Sequence, residues 1–437
     1  MRQRMTRTVL AIATVALLAP AAASASRNAY VADLVDGKID VLAADVGSGV
    51  LTPTSTAPSG STPVGLVLTA DGSHLYVANY GSPTINGYSV AADGALTALP
   101  GSPFATAGGT FGMTSTADGK YLYAANRSSQ ISGYSIGADG ALSPLPGSPY
   151  ASPPGLYGIA SSPDSKLLYA TTDSGATRIA GYSIGADGAL AGLPATMPTP
   201  GTSARGVVFA PDGRRLYVAQ YAEDKVAAFD VAASGALSEI GGSPFTVGDG
   251  PYGLAMAPDG KSLFVAESNA GTFSSFPLAG NGSLGASSST VPAGTSAYAG
   301  ADSPDSRFLY TVGGSNPTGY GFGVGANGAL TALAGSPFMN DDSEADFQGI
   351  AISPNQPPQA TFRVNPAEPG IKEQVRFNAK NSTDPDGTVA SYLFDYGDGK
   401  TKTSTDGSSS HKYKTEGTYT VTVTETCLLY TSDAADE

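Results

Sequence analysis

The chain repeats itself seven times with a period of 46 to 48 residues. An aromatic inside an L-Y-V-A-like segment marks each copy: Tyr30, Tyr76, Tyr123, Tyr169, Tyr217, Phe264 and Tyr310. A fixed period of this length belongs to small sheets stacked in an array or closed into a ring. Composition agrees. The 437 residues include 56 Gly and 31 Pro, and only 14% are charged, which suits short strands joined by tight turns.

The copies share one plan. A Gly opens an apolar segment at Gly65, Gly112, Gly158, Gly206, Gly253, Gly300 and Gly349. A turn follows, as at Pro211-Asp212-Gly213 and Pro258-Asp259-Gly260, where Pro presets φ and Gly accepts a positive one. The L-Y-V-A strand comes next, then a third strand with an aromatic at Tyr88, Tyr134, Tyr182, Phe229, Phe276 or Phe322. Asp-Gly or Asn-Gly, a strong hairpin signal, precedes a fourth strand that ends in a G-S-P-F element. Four antiparallel strands make a propeller blade, with the repeated aromatics expected in the gaps between blades. The first copy starts at Arg27 on its second strand, and a surplus segment, Gly349-Ile350-Ala351-Ile352, follows the last copy. These ends are complementary. Their pairing would close a seven-bladed β-propeller over residues 27–355 without an open sheet edge.

The repeat G-x-x-x-S-P-D-G-x-x-L-Y-V-A-N, with its D-G-A-L and G-S-P-F elements, resembles the YVTN-type repeat of the seven-bladed lactonase (6-phosphogluconolactonase-like) propellers. That resemblance implies a lactonase-like fold. The family's enzymes commonly place His and Arg just before the inner strand. Here those positions read Val64, Phe111, Tyr157, Arg205, Tyr252, Ala299 and Gln348, and only Arg205 fits. The one propeller histidine, His74, falls on the turn side and reads as a surface residue. Residues 357–426 resemble a PKD domain, through Asn381-Ser382-Thr383-Asp384-Pro385-Asp386-Gly387, Phe394-Asp395-Tyr396-Gly397-Asp398-Gly399 and Gly417-Thr418-Tyr419-Thr420-Val421. This implies a small immunoglobulin-like β-sandwich, so the whole fold is expected to be all-β.

Both ends carry further signals. Residues 1–25 read as a secretory signal peptide: Arg2, Arg4 and Arg7, a short apolar core, and a cleavage site at Ala23-Ser24-Ala25. A secreted or cell-surface location follows. Residues 427–437, which hold the single cysteine Cys427, resemble a translated sequencing adaptor, implying a natural chain truncated at about Thr426.

The net charge of −14 leaves no basic stripe for nucleic acid. No segment suits a membrane span, and a monomeric propeller is expected. Loops entering the inner strands and loops leaving the second strands should meet round the central channel. The first set brings Phe111, Tyr157, Arg205 and Tyr252; the second brings Asp33, Asn79, Asn126, Gln220 and Glu267. Aromatic surface with a few convergent polar groups is the usual composition of a ligand site. Arg205 can hold a carboxylate or phosphate, and Glu267 can serve as a base if its surroundings raise its pKa. No cofactor is expected in the propeller. In the PKD-like part Asp384, Asp386 and Asp398 could gather round a calcium ion, although Asp-Pro-Asp-Gly is equally a turn signal. Two functions follow as expectations. The first is a secreted, non-enzymatic protein that binds an extracellular protein or glycan. The second is a lactonase-like hydrolase acting on a small sugar or organic-acid lactone.

Overall fold

The computed structural model describes residues 26–174, 179–193, 201–294, 296–314, 319–338, 349–354, 360–367, 369–384 and 388–428. The expected signal peptide lies outside them, as does the tail from Leu429 onward. Arg27–Pro354 forms one compact unit and the residues after it a second. No helix among the described residues is long and apolar enough to cross a membrane.

The first unit is a seven-bladed propeller. Each blade is an antiparallel sheet in simple up-and-down order, as in Ala204–Phe209, Arg215–Gln220, Lys225–Val231 and Leu237–Glu239 of the fifth. The seven inner strands are Ile350–Ile352, Pro63–Leu68, Thr110–Ser115, Leu156–Ser161, Ala204–Phe209, Pro251–Met256 and Ala297–Asp302. Each touches the next, and the last touches the first, so the ring is closed. Closure is made by Ile350–Ile352, which adds to the first blade beside Ser26–Asp33 with Ala29 opposite Ile352 and Val31 opposite Ile350. A nearly fully buried ion pair, Arg27 to Asp305 at 2.8 Å, and hydrogen bonds from Arg307 to the carbonyls of Val46 and Gly47 join the first and last blades. Blades two, three and five carry one strand beyond the four expected. The aromatic of G-S-P-F begins a two-residue strand that pairs with the third, as Ile85 with Phe104.

The turn residues act as the sequence requires. Gly94, Gly140, Gly188 and Gly282 all have positive φ, and the preceding Asp or Asn accepts the amide two residues on, as Asp93 does from Ala95 at 3.1 Å. Asp212 and Asp259 do the same in the P-D-G turns. These carboxylates are turn formers.

The core lies between blades. One cluster joins Tyr76, Ala78 and Ile85 of the second blade to Met113, Leu122 and Tyr134 of the third. The L-Y-V-A aromatics are all but completely buried. Six of the seven are tyrosines, and a buried phenol needs a hydrogen-bond partner. Each finds the same one. Tyr30, Tyr76, Tyr123, Tyr169 and Tyr217 donate to the carbonyls of Gly94, Gly140, Gly188, Gly235 and Gly282 in the hairpin of the following blade, at 2.5 to 3.2 Å. Tyr310 of the last blade donates to Gly49 of the first at 2.7 Å. Burial pushes all six hydroxyls up, Tyr169 and Tyr217 to about 12, so they remain donors. In the third strands Tyr134 and Tyr182 tie back to the blade before, at the carbonyls of Ala105 and Ala151.

The second unit is a sandwich of two three-stranded sheets, Arg363–Asn365, Val375–Asn378 and Ser408–His411 against Thr388–Asp395, Thr401–Ser404 and Thr422–Leu428. Phe377 and Phe394 fill its core. Pairing of the last strand runs two residues past Thr426, to Leu428 opposite Thr388, since backbone hydrogen bonds make no demand on side-chain type.

Replacing Tyr76 or Tyr123 by Phe deletes one donor and leaves a buried glycine carbonyl unmatched. Each change is expected to lower stability by about 1–2 kcal/mol in chemical denaturation, whereas an unchanged midpoint would contradict the tether.

Candidate functional site

In blades two to seven the pairing between first and second strands slips by one residue at the start of the inner strand. Such a bulge re-aims a side chain, and bulges concentrate at the rims of closed sheets and beside binding sites. The residues it holds are Val64, Phe111, Tyr157, Arg205, Tyr252 and Tyr298. Gly206 and Gly253 follow directly, where a side chain would strike the carbonyls of Tyr252 and Tyr298 in the next blade. The seventh blade corrects the sequence reading. Aligning Gly300 with the other glycines puts Ala299 at the rim. The register instead puts Ala297 opposite Gly313, as Pro251 is opposite Glu267, so Ala299 takes the glycine seat in the core and Tyr298 the rim.

These side chains converge. Phe111 and Tyr157 stand 4.3 Å apart, Tyr157 and Tyr252 5.5 Å, and Tyr252 and Tyr298 4.7 Å between ring centres. The hydroxyls of Tyr157 and Tyr252 meet in a hydrogen bond. Residues just past the second strands join them. Tyr80 packs edge-on against Phe111, and Tyr221, in the short 3-10 turn Tyr221–Glu223, edge-on against Tyr252.

Arg205 sits inside this cluster. Its guanidinium carbon is 3.8 Å from the ring centre of Tyr221, 4.4 Å from that of Tyr252 and 4.9 Å from that of Tyr157. It donates to the Tyr157 hydroxyl at 3.3 Å, and its Nε is buried without a partner among the described residues. No described carboxylate pairs with it. Its backbone is fixed by Thr171, whose hydroxyl donates to the Arg205 carbonyl and accepts the Gly158 amide at 2.9 Å. Thr171 was not singled out in the sequence; the signal is that the same position is Ala78, Ala125, Ala219 and Ala266 in other blades. A second cation, Arg127, lies 5.5 Å from the Tyr157 ring centre and is paired with Asp173 at 2.7 Å.

The second set of expected rim residues is placed differently. Asn79, Asn126, Gln220 and Glu267 are buried. Asn79 accepts from Ser59 and the Gly60 amide and donates to Asn86. Asn126 bridges Thr110 and Ser132. Glu267 accepts from the Gly248 amide, Thr272 and Ser274 at 2.6 to 2.8 Å. Asp33 takes the amides of Val35 and Asp36 and the ammonium of Lys38. Asn79, Asn126, Glu267 and Asp33 therefore clamp loops. The buried carboxylate of Glu267 accepts three hydrogen bonds from its own blade. His74 lies at the turn-side end of its strand beside Ser73.

In the sandwich Asp386 lies outside the described residues. Asp398 accepts from His411 at 2.8 Å and from the Lys400 amide. No group of three potential metal ligands occurs among the described residues.

Residues 124–241 match the family model "Lactonase, 7-bladed beta-propeller", and residues 355–427 match that of the PKD domain. The chain thus joins a seven-bladed propeller, part of which is similar to the lactonase family, to a segment similar to a PKD domain. Solved structures agree in fold. A putative 6-phosphogluconolactonase from Bacteroides fragilis shares 21% identity with a TM-score of 0.62, covering 76% of this chain and 99% of its own. The periplasmic gluconolactonase of Pseudomonas aeruginosa shares 19%, with a TM-score of 0.62, covering 75% and 99%. A functionally unknown protein from Desulfotomaculum acetoxidans shares 17%, with a TM-score of 0.63 and the same coverage. No curated protein matches the chain.

Because Glu267 braces the loop at Gly248, Glu267→Ala should cost about 1–3 kcal/mol in denaturation, since buried donors lose their acceptor. A variant as stable as the parent would show that the clamp is dispensable.

Proposed function

We propose that the propeller is a binding module for an acidic saccharide, held on the aromatic rim with Arg205 against its carboxylate, and that the protein works outside the cytoplasmic membrane. The observation that carries this is the state of Arg205: a guanidinium stacked among three tyrosines, with its Nε buried and unmatched among the described residues. A buried polar atom without a partner calls for one, and a guanidinium fork fits a carboxylate with two parallel hydrogen bonds. The flanking rings supply flat apolar faces for the C–H surface of a sugar. Tyr80, 44% exposed, and Arg127 extend that surface to one side.

The export signal read in residues 1–25 supports the location, as does the PKD domain. The similar Pseudomonas protein is described as periplasmic.

Lactone hydrolysis is the second reading, favoured by the family match over residues 124–241. Hydrolysis needs a base within reach of the attacking water. Of the two histidines, His74 lies at the turn side and His411 in the sandwich, while the Glu267 carboxylate is buried and accepts three hydrogen bonds. Binding without turnover fits this rim better.

Calorimetric titration with uronic-acid and matched neutral oligosaccharides, beside a lactone-hydrolysis panel, tests the proposal. Acidic sugars should bind, neutral ones at least about tenfold more weakly, and Arg205→Ala should abolish the difference, as expected for a charge-assisted contact of about 1.5–3 kcal/mol. Lactone turnover lost in Arg205→Ala would overturn it in favour of the hydrolase.

A further inference from the structure

At the other end of the inner strands, one position per blade faces the residue before the second-strand aromatic. Leu68, Ser115, Ser161, Phe209, Met256 and Ile352 occupy it, opposite Leu75, Leu122, Leu168, Leu216, Leu263 and Ala29. In the seventh blade the residue is Asp302, opposite Leu309. A carboxylate here breaks a pattern of apolar and hydroxyl side chains.

Its surroundings are equally unusual. Both carboxyl oxygens are sealed from solvent, and neither has a hydrogen-bond donor among the described residues. The charged and titratable groups around it are Asp305 from the turn after its own strand, Asp259 from the turn of the sixth blade, and Tyr310 from the adjoining strand. The cation of this region, Arg27, is taken by Asp305, which Ser303 also supports. Asp305, Arg27 and the closing strand Ile350–Ile352 are the parts that join the last blade to the first. An ionised carboxylate without donors, next to two others, is unfavourable, and something must neutralise it.

We infer that Asp302 is a proton-operated latch on ring closure: it is protonated in the tightly closed ring, and its ionisation weakens the seam between the seventh and first blades. Burial first, and then the Asp305 and Asp259 carboxylates, push its carboxyl from 3.8 up to about 8. Because the folded value lies above the unfolded one, the stability it supports is complete below about pH 4, declines as pH rises, and is lost beyond about pH 8. Asp305 titrates in the opposite sense. Burial opposes its ionisation, but Ser303 and Arg27 hold it below the ordinary range, so it stays charged throughout that window. The closed ring should therefore be tightest in mildly acidic surroundings and loosen on the alkaline side.

The test uses the full chain, its Asp302→Asn variant and Asp302→Ser, which restores the residue of the third and fourth blades. Urea midpoints of the propeller transition are followed from about pH 3.5 to about pH 9. The wild type should fall behind both variants progressively, by roughly 1 M urea at the alkaline end, and match them at the acid end. Hydrogen exchange, compared between wild type and Asn variant at one pH, should show the excess opening at Ser26–Asp33 and Ile350–Ile352 and not at Leu156–Ser161. Parallel pH profiles for all three proteins would overturn the latch. So would excess opening spread evenly over the blades. A wild-type profile flattened by added sodium, potassium or calcium ions would also overturn it, by showing that a cation and not a proton neutralises the site.

Discussion

The propeller depends on a phenol that cannot be left unmatched. Each second strand buries its tyrosine in the gap before the next blade, and the hydroxyl reaches the glycine carbonyl of that blade's hairpin. The hairpin needs glycine for its positive φ, and the buried carbonyl of that turn becomes the acceptor. One sequence unit thus fixes both the turn and the distance to its neighbour. Apolar burial supplies most of the stability and has no direction; the hydroxyl sets how far one sheet can slide over the next. Only the sixth blade, with Phe264, does without it. There a side chain added at Gly328 would strike the hydroxyls of Ser262 and Ser275.

A frame repeated seven times lets function vary at fixed points. The bulge that opens six of the inner strands delivers one side chain per blade to the channel mouth, whatever its chemistry. Four aromatics and one arginine at these points make the rim, with Tyr80 and Tyr221 added from the adjoining loops. The same economy operates at the opposite end. An aspartate at one equivalent position turns a packing site into a titrating one. The aspartate stands beside one of the tyrosine tethers, Tyr310, at the seam between the last blade and the first.

Much of this was legible in the sequence. The 46-to-48 spacing, the Asp-Gly turns and the complementary ends each obey local rules, and the seven blades and their closure follow from them. Arg205, Phe111, Tyr157 and Tyr252 were found because their blades keep glycine directly after the rim residue. Tyr298 was missed because the seventh blade seats Ala299 there and displaces Gly300 by one, a shift that only strand register reveals. The clamps depend on side-chain direction. Asn79, Asn126 and Glu267 end strands at the rim face, but a strand's last residue can turn its side chain back under the loop, and sequence does not record which way it points. The partnerless state of Asp302 depends on what separate segments bring near it, and no local pattern encodes that.

Closure of the ring can be tested at one pair of residues. Ala29 and Ile352 face each other as a non-hydrogen-bonded pair, since Asn28–Ser353 and Ala32–Gly349 carry the flanking backbone bonds. Such pairs bring Cβ atoms closest and suit a disulfide. In a protein carrying Ala29→Cys, Ile352→Cys and Cys427→Ser, mild oxidation followed by peptide mass mapping should find that crosslink formed nearly completely within single chains. Free thiols after oxidation of the folded protein, or crosslinks between chains only, would mean that the two ends do not meet and that the wheel is not closed as described.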